Sequence, residues 1–325
     1  MHLSNCRISL NLRLRSRRLT RAILVFGWVL LLPSMVKASD RLDYSLLKSV
    51  VRIQTAPTVN GPEVGCGFLV GGDPTKGGRV FLITNKHMIG DWNIADGDIQ
   101  NAYPWVDVFF YRTVVDALGR SYRPTRINLV AQSGRFDPLR VHMHQSPRVD
   151  VAAIDVTDKV KDASEQIQWA VYDRSYFVMF DHIEEWQTGI GDEVIALGYP
   201  YNIRSLRTDY PVAKIAIVAS APGEELSLSV PARNRRNISV PDLTLEGKYL
   251  LVDGLITNGN SGGPILLVGG MRVRRDPKTN ALQFLDKDIP NYVVGMVSSG
   301  FSGSGLSIVI SSDYILELVG PMLKW

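Results

Sequence analysis

The chain has 325 residues, 45% hydrophobic and 21% charged, the proportions of an ordinary globular protein long enough for one large domain or two smaller ones. Its formal charge of +4 is confined to one end: seven of the 36 basic residues fall within 1–38, where no Asp or Glu occurs, and the remainder carries 29 basic against 32 acidic residues, a net of −3. The basic pI is thus no sign of a nucleic-acid surface, and with Cys66 the single cysteine after residue 38 a chain that has lost those residues is left with no intrachain disulfide.

The first 38 residues read as a secretory leader. An Arg-rich stretch ends at Arg21, the apolar run "AILVFGWVLLLPSMV" covers Ala22 to Val36, and small Ala38 follows. That run has 15 residues with Pro33 inside it, short of the roughly 20 a membrane-spanning helix needs. The expectation is cleavage near Ala38 and a secreted or periplasmic bacterial product with no stable membrane span.

Beyond residue 40 the apolar runs are short, β-branched and bounded by Gly, Pro, Asn or Asp. Strands are predicted at 49–55, 66–70, 79–85, 105–113, 151–156, 193–199, 214–220, 249–256, 292–299 and 306–310. "GGDPTKGG" (71–78) should join two of them in a hairpin, and 271–285 should form another with Asp276-Pro277 at its tip. A helical period appears only in "SSDYILELVGPM", where Ser312 is the expected cap, Ile315, Leu316 and Val319 share a face, and Gly320-Pro321 marks the expected end. Many strands and one terminal helix indicate an all-β fold, with the polar stretch 158–190 as the boundary between two halves.

The stretch "NGNSGGP" (258–264) surrounds one hydroxyl, Ser261, with three glycines and a proline. A serine becomes a nucleophile only with a base to take its proton, a group to orient that base and donors for the developing oxyanion. His87, after the apolar run "FLIT", is the candidate base, and Asp150, opening "DVAAIDV", is the candidate acid. "GNSGG" also fits the G-x-S-x-G elbow of α/β-hydrolases, but that fold needs a histidine after the serine and none follows Ser261. The remaining order is His87, Asp150, Ser261 on an all-β chain.

With these residues in view the chain resembles the trypsin/chymotrypsin-like serine peptidases, and within them the disulfide-free bacterial kind similar to the HtrA proteases. The likeness rests on "TNKHM" (84–88), "DVAAIDV" (150–156), "GNSGGP" (259–264), "VSSG" (297–300) and "GCGFLV" (65–70), in family order over about residues 45–320. It implies two six-stranded antiparallel β-barrels with a short C-terminal helix, the first over 44–165 and the second with the helix over 185–325. It implies peptide-bond hydrolysis through an acyl-enzyme, with Ser261 as nucleophile, His87 as general base, Asp150 holding the imidazole, and the N–H groups of Gly259 and Ser261 as the oxyanion hole. Polypeptide substrate would add as an extended strand along Val297, Ser298, Ser299 and Gly300. No cofactor and no metal are called for. With the chain ending at Trp325, the appended PDZ domain of HtrA proteases is not expected.

Two departures from the family pattern carry consequences. Asn260 stands where trypsins have the carboxylate that pairs with a newly cut N-terminus, so activity should not require such a terminus. Leu255 occupies the pocket-floor position, which predicts small or aliphatic preference before the scissile bond. Competing readings are a non-catalytic binding module on a protease scaffold, an esterase using the same triad, Asp155 as the acid, and a metal on His142 and His144, which share one face of an extended segment. Cys66 reads as a small buried hydrophobe.

Overall fold

The computed structural model describes residues 42, 44–58, 61–92, 97–186, 188–230, 243–254, 256–267, 273–275, 281–284, 291–300 and 304–323. The leader expected over 1–38, Leu255 and the tip of the predicted 271–285 hairpin lie outside these residues.

The first half contributes β1 (Val50–Thr55), β2 (Val64–Gly71), β3 (Val80–Thr84), β4 (Gly90–Trp92), β5 (Ile99–Ala102), β6 (Trp105–Tyr111), β7 (Tyr122–Asn128), β8 (Val141–Met143) and β9 (Ala152–Asp155), followed by the short helix α1 (Thr157–Lys161). Seven of them form one antiparallel sheet in the order β7-β6-β1-β2-β3-β9-β8, and β4 and β5 pair separately. The second half contributes β10 (Glu193–Gly198), β11 (Val212–Val218), β12 (Leu226–Val230), β13 (Leu243–Gly247), β14 (Tyr249–Asp253), β15 (Pro264–Leu267), β16 (Val273–Arg275), β17 (Leu282–Phe284), β18 (Tyr292–Gly300), β19 (Leu306–Ser311) and the helix α2 (Ser312–Leu323). Here β10-β11-β14-β19-β18-β15 close into a barrel, while β12 with β13 and β16 with β17 make two separate hairpins.

Burial explains why β2 and β3 read as nearly continuous apolar runs rather than alternating ones. One face of the sheet, with Val51, Ile53, Leu69, Leu82, Val108 and Ile154, encloses its own core. The other, with Val50, Phe68, Phe81 and Ile83, packs on Ile195, Leu197, Leu266, Met296 and Ile308 of the second half. A strand buried on both sides has no solvent face to mark with polar residues. Each such side chain contributes about 1.5–3 kcal/mol on burial, so the seam between the halves is held mainly by apolar packing. A third cluster, including Val194, Ala196, Val252, Ile265 and Val309, fills the closed barrel.

A polar clamp crosses the same seam. Arg52 of β1 bonds Asp209 at 3.1 Å, both almost fully buried, and the Arg52 guanidinium lies 3.5 Å from the centre of the Phe109 ring. Tyr199 donates its hydroxyl to the carbonyls of Asp209 (2.9 Å) and Val50 (3.2 Å).

Three expectations are corrected. The first sheet is seven-stranded and not closed into a barrel. Its two edges, β7 and β8, are consecutive in the chain, but the 129–140 link folds on itself in turns (Ala131 N–H to Arg135 C=O, Arg140 N–H to Asp137 C=O), and β8 has only three residues. The helix is capped by Ser311, whose Oγ accepts the Asp313 N–H at 3.2 Å, and not by Ser312, whose hydroxyl bonds the Val178 carbonyl. It also runs through Gly320-Pro321 to Leu323. Pro321 removes only the N–H that would bond the Glu317 carbonyl one turn back, and Gly320 brings no Cβ to clash with its ring.

The polar stretch 158–190 is a strap rather than a bare linker. Tyr172 exchanges backbone hydrogen bonds with β2 (Tyr172 N–H to Leu69 C=O, 2.9 Å; Gly71 N–H to Tyr172 C=O, 3.1 Å), and Val178 donates to Val293 of β18 (3.2 Å). Tyr172, Phe177, Val178 and Phe180 are its buried anchors.

Candidate active site

Strands β3 and β9 pair antiparallel with Thr84 opposite Ala152, so the end of one and the start of the other share a sheet edge. Immediately past β3, extended Asn85 opens a single 3₁₀ turn, Lys86–Met88. That turn buries Lys86 and Met88 and leaves His87 partly exposed, 30% for its side chain. Asp150 lies just ahead of β9 and is buried. Its Oδ2 is 2.7 Å from His87 Nδ1, its Oδ1 accepts the His87 backbone N–H at 3.2 Å, and its own carbonyl accepts the Asn85 amide at 2.8 Å. The bond to the carboxylate fixes the proton of a neutral His87 on Nδ1 and leaves Nε2 as the acceptor.

Ser261 lies in the turn between β14 and β15. Its carbonyl accepts the Cys66 N–H of β2 at 2.8 Å, which ties this turn of the second half to the sheet that carries His87. Two glycines make the geometry possible. Gly262 has φ +82°, and a Cβ there would overlap the Cys66 carbonyl; Gly259 has φ +97°, and a Cβ there would overlap the Tyr199 carbonyl. The N–H groups of Asn260, Gly262 and Gly263 are donated to Thr257, Val297 and Asn260 carbonyls. Among the described residues those of Gly259 and Ser261 are donated to none.

Ser298 connects the two halves of the site. Val297 pairs with Val309 and Ser299 with Ile308, so Ser298 is the extra residue of a β-bulge in β18. A bulge re-aims the side chain it carries. Here the Ser298 hydroxyl donates to Asp150 Oδ2 at 3.1 Å, while its carbonyl accepts the Ser261 hydroxyl at 3.4 Å. His87, Asp150 and Ser261 are thereby gathered around one residue. Sequence reading placed Ser298 only in the substrate strand; its hydroxyl contact with the acid carries no sequence signal beyond the Ser itself. Past Met296, β18 loses its β15 partner, and Ser299 and Gly300 are exposed, paired among the described residues with β19 alone.

Burial alone would lower the His87 pKa, but the Asp150 charge, its hydrogen bond and the more distant Glu63 outweigh it, and the pKa is raised above the usual 6.5. The neighbouring Lys86 moves the other way: burial lowers it to about 8, against the pull of Asp150. Asn260 is fully buried, gives its amide to the Thr257 carbonyl at 3.0 Å, and has no hydrogen-bond partner for its Oδ1 among the described residues.

The competing candidates fall elsewhere. Asp155 is held by Arg79 at 2.6 Å, at the far end of β9 from Asp150. His142 stacks edge-on to Phe81, and His144 bonds Glu317 at 3.0 Å. Among the described residues no group of three or more His, Cys, Asp or Glu could hold a metal. Cys66 is buried and its thiol pKa is pushed well up by burial, which makes it inert.

No family model matches the sequence, and no curated relative does either. Among solved structures, the Rv3671c protease from M. tuberculosis in its active form is similar at 17% identity, covering 85% of this chain and 81% of its own, with a TM-score of 0.46. The serine endoprotease from Yersinia pestis is similar at 17% identity, covering 86% of this chain and 64% of its own, with a TM-score of 0.42. A thermostable serine protease from an extremophilic microorganism is similar at 11% identity, covering 85% of this chain and 97% of its own, with a TM-score of 0.46.

Proposed function

We propose that this chain is a serine endopeptidase of the chymotrypsin-like type, of the disulfide-free bacterial kind similar to HtrA, acting outside the cytoplasm after loss of the leader near Ala38. The observation that carries the reading is the meeting at Ser298: its hydroxyl bonds the acid that holds His87, and its carbonyl bonds the Ser261 hydroxyl. In the reaction, Ser261 Oγ turns between staggered wells from the Ser298 carbonyl toward His87 Nε2 and attacks the peptide carbonyl carbon. His87 takes the hydroxyl proton as the C–O bond forms, then gives it to the leaving amine as the C–N bond breaks. Water repeats the sequence on the acyl-enzyme, and Asp150 stabilises the imidazolium in both halves. The undonated N–H groups of Gly259 and Ser261 receive the oxyanion, each such donor being typically worth ~10²–10³ in rate.

The substrate pairs as a strand with Ser298–Gly300, where among the described residues β18 is paired with β19 alone, because backbone pairing accepts varied sequences. By the resemblance, Leu255 stands at the pocket-floor position and brings no carboxylate there, which favours small or aliphatic residues before the scissile bond. Asn260 brings no charge to the buried position, so activity needs no new N-terminus there.

The test uses a fluorophosphonate probe and a casein digest. Labelling and digestion by the native chain, both lost in Ser261→Ala, are expected. Absence of labelling in a folded native chain would make it a binding module, and labelling with ester hydrolysis but no casein cleavage would make it an esterase.

A further inference from the structure

The turn that follows β10 has an unusual backbone. Tyr201 and Asn202 both have positive φ, +51° and +61°, and the Ile203 N–H closes the turn on the Pro200 carbonyl at 2.8 Å. Gly, Asn and Asp ordinarily fill such positions, and a tyrosine is disfavoured in the left-handed region by roughly tenfold in population. The Tyr201 side chain does not pull the backbone there, since it is 69% exposed. What the conformation does is aim backbone groups. The Tyr201 N–H donates to the Asn258 carbonyl at 2.8 Å, and the Tyr199 N–H donates to the Gly259 carbonyl at 3.1 Å. A trans peptide directs its C=O and its N–H to opposite sides. The Asn258 carbonyl, turned toward Tyr201, therefore turns the Gly259 N–H away from it, and among the described residues no carbonyl accepts that N–H.

Arg204 grips this turn. Its Nη1 donates to the Asn202 carbonyl and to Asn202 Oδ1, each at 3.0 Å, and its Nε lies 3.0 Å from Asp209 Oδ1. Asp209 is itself fixed, its carboxylate by Arg52 of β1 and its carbonyl by the Tyr199 hydroxyl. A chain of contacts thus runs from the seam between the halves, through Asp209, Arg204 and the left-handed turn, to the peptide that carries the Gly259 donor. We propose that Arg204 is a positioning residue for the oxyanion hole: it braces the Tyr201–Asn202 turn against buried Asp209, which keeps the Tyr201 N–H on the Asn258 carbonyl and the Gly259 N–H facing the substrate. The inference rests on the triad reading above and deepens it. Without the brace, Tyr201 relaxes toward an ordinary conformation and the Asn258–Gly259 peptide loses its anchor. A donor that acts on the transition state is then missing from most of the population.

Arg204→Met removes the brace, and Tyr201→Asn, which seats a residue that tolerates positive φ, removes the need for it. Arg204→Met, alone and combined with Tyr201→Asn, is read in the full chain in three ways. These are steady-state kinetics on a peptide substrate, the affinity of a peptide trifluoromethyl ketone, whose adduct with Ser261 places an oxyanion in the hole, and hydrogen exchange at the Tyr201 amide. Arg204→Met is expected to lower kcat roughly tenfold with little change in KM, to weaken the ketone by the same factor and to speed Tyr201 exchange. The combination should recover all three. Should Met fail to fold, Arg204→Lys decides: it keeps a charge beside Asp209 but lacks the second nitrogen that reaches Asn202, and the same losses are expected. An unchanged kcat, a loss in KM instead, or a combination no better than Arg204→Met would overturn the inference. Failure of the triad reading looks different: no variant cleaves peptide or takes up the ketone, while Tyr201 exchange still reports whether Arg204 holds the turn.

Discussion

Replacing Asp150 by Asn changes one atom and should remove nearly all activity. The carboxylate accepts three hydrogen bonds: the His87 N–H at 3.2 Å on Oδ1, and His87 Nδ1 at 2.7 Å with the Ser298 hydroxyl at 3.1 Å on Oδ2. An amide has one acceptor oxygen and one donor nitrogen. With the oxygen on the His87 N–H, the NH₂ faces Nδ1, and a neutral imidazole must accept there and carry its proton on Nε2. The base is then protonated on the atom that should take the Ser261 proton. The opposite flip sets NH₂ against the backbone N–H, two donors facing in a buried site, at a cost of about 1–3 kcal/mol. The wrong tautomer therefore prevails, and kcat should fall by ~10⁴, equivalent to about 5.5 kcal/mol of activation free energy. Steady-state kinetics on a peptide substrate at pH 8, with a thermal melt to check the fold, measures this. A folded variant with kcat within tenfold of the native value, or with the loss in KM rather than kcat, would refute the argument that Asp150 sets the His87 tautomer.

Ser298→Ala removes one donor to a buried carboxylate and leaves the substrate-pairing backbone intact; at about 1.5–3 kcal/mol for a bond to a charged group, kcat should fall roughly 10- to 100-fold with little change in KM. Activity should follow the neutral form of His87, so kcat/KM should rise with pH through a midpoint above 6.5. Stability moves oppositely: a raised folded-state pKa gives a contribution fully present below about pH 6.5 and lost as pH rises through the folded value, so the melting-temperature gap between the native chain and His87→Gln should narrow across that window. At the seam, Asp209→Ala leaves buried Arg52 and neighbouring Arg204 facing each other uncompensated, whereas Arg52→Met leaves Asp209 its 3.0 Å contact with Arg204. Denaturant unfolding should show a loss of about 3–5 kcal/mol for the first and a smaller one for the second.

Different parts of this architecture left different traces in the sequence. Strands buried on both faces, such as β3 with "VFLIT", announce themselves because every position is apolar. Strand β7, "YRPTRIN", escapes notice because it is a sheet edge: it alternates, carries Pro124 and presents Arg123 and Arg126 to solvent. The failure of the first sheet to close was likewise illegible, since closure depends on pairing between β7 and β8 across a folded-back loop and not on the content of either strand. The strap at 158–190 hid its function because its anchors, Tyr172, Phe177, Val178 and Phe180, follow no period: each docks at a separate point on one half or the other.

The candidate site shows the same division. His87, Asp150 and Ser261 were visible because each sits at a break between an apolar run and a turn, where a rigid element ends and can present a side chain. What the sequence could not convey is the relation between a residue and the charge it faces across the fold. Lys86 is one letter from His87, and in sequence it reads as an ordinary polar residue of a turn. Only the fold buries that turn and sets its ammonium on the Ser146 carbonyl of the 144–150 loop. Ser298 likewise gains its contact from a one-residue bulge, a register event between β18 and β19 that no local pattern records. The candidate residues are thus written in residue identities, whereas the contacts that bring them together are written in registers and burial. That is why a substitution at Ser298, which touches both Asp150 and Ser261, best probes whether the three candidate groups work as one unit.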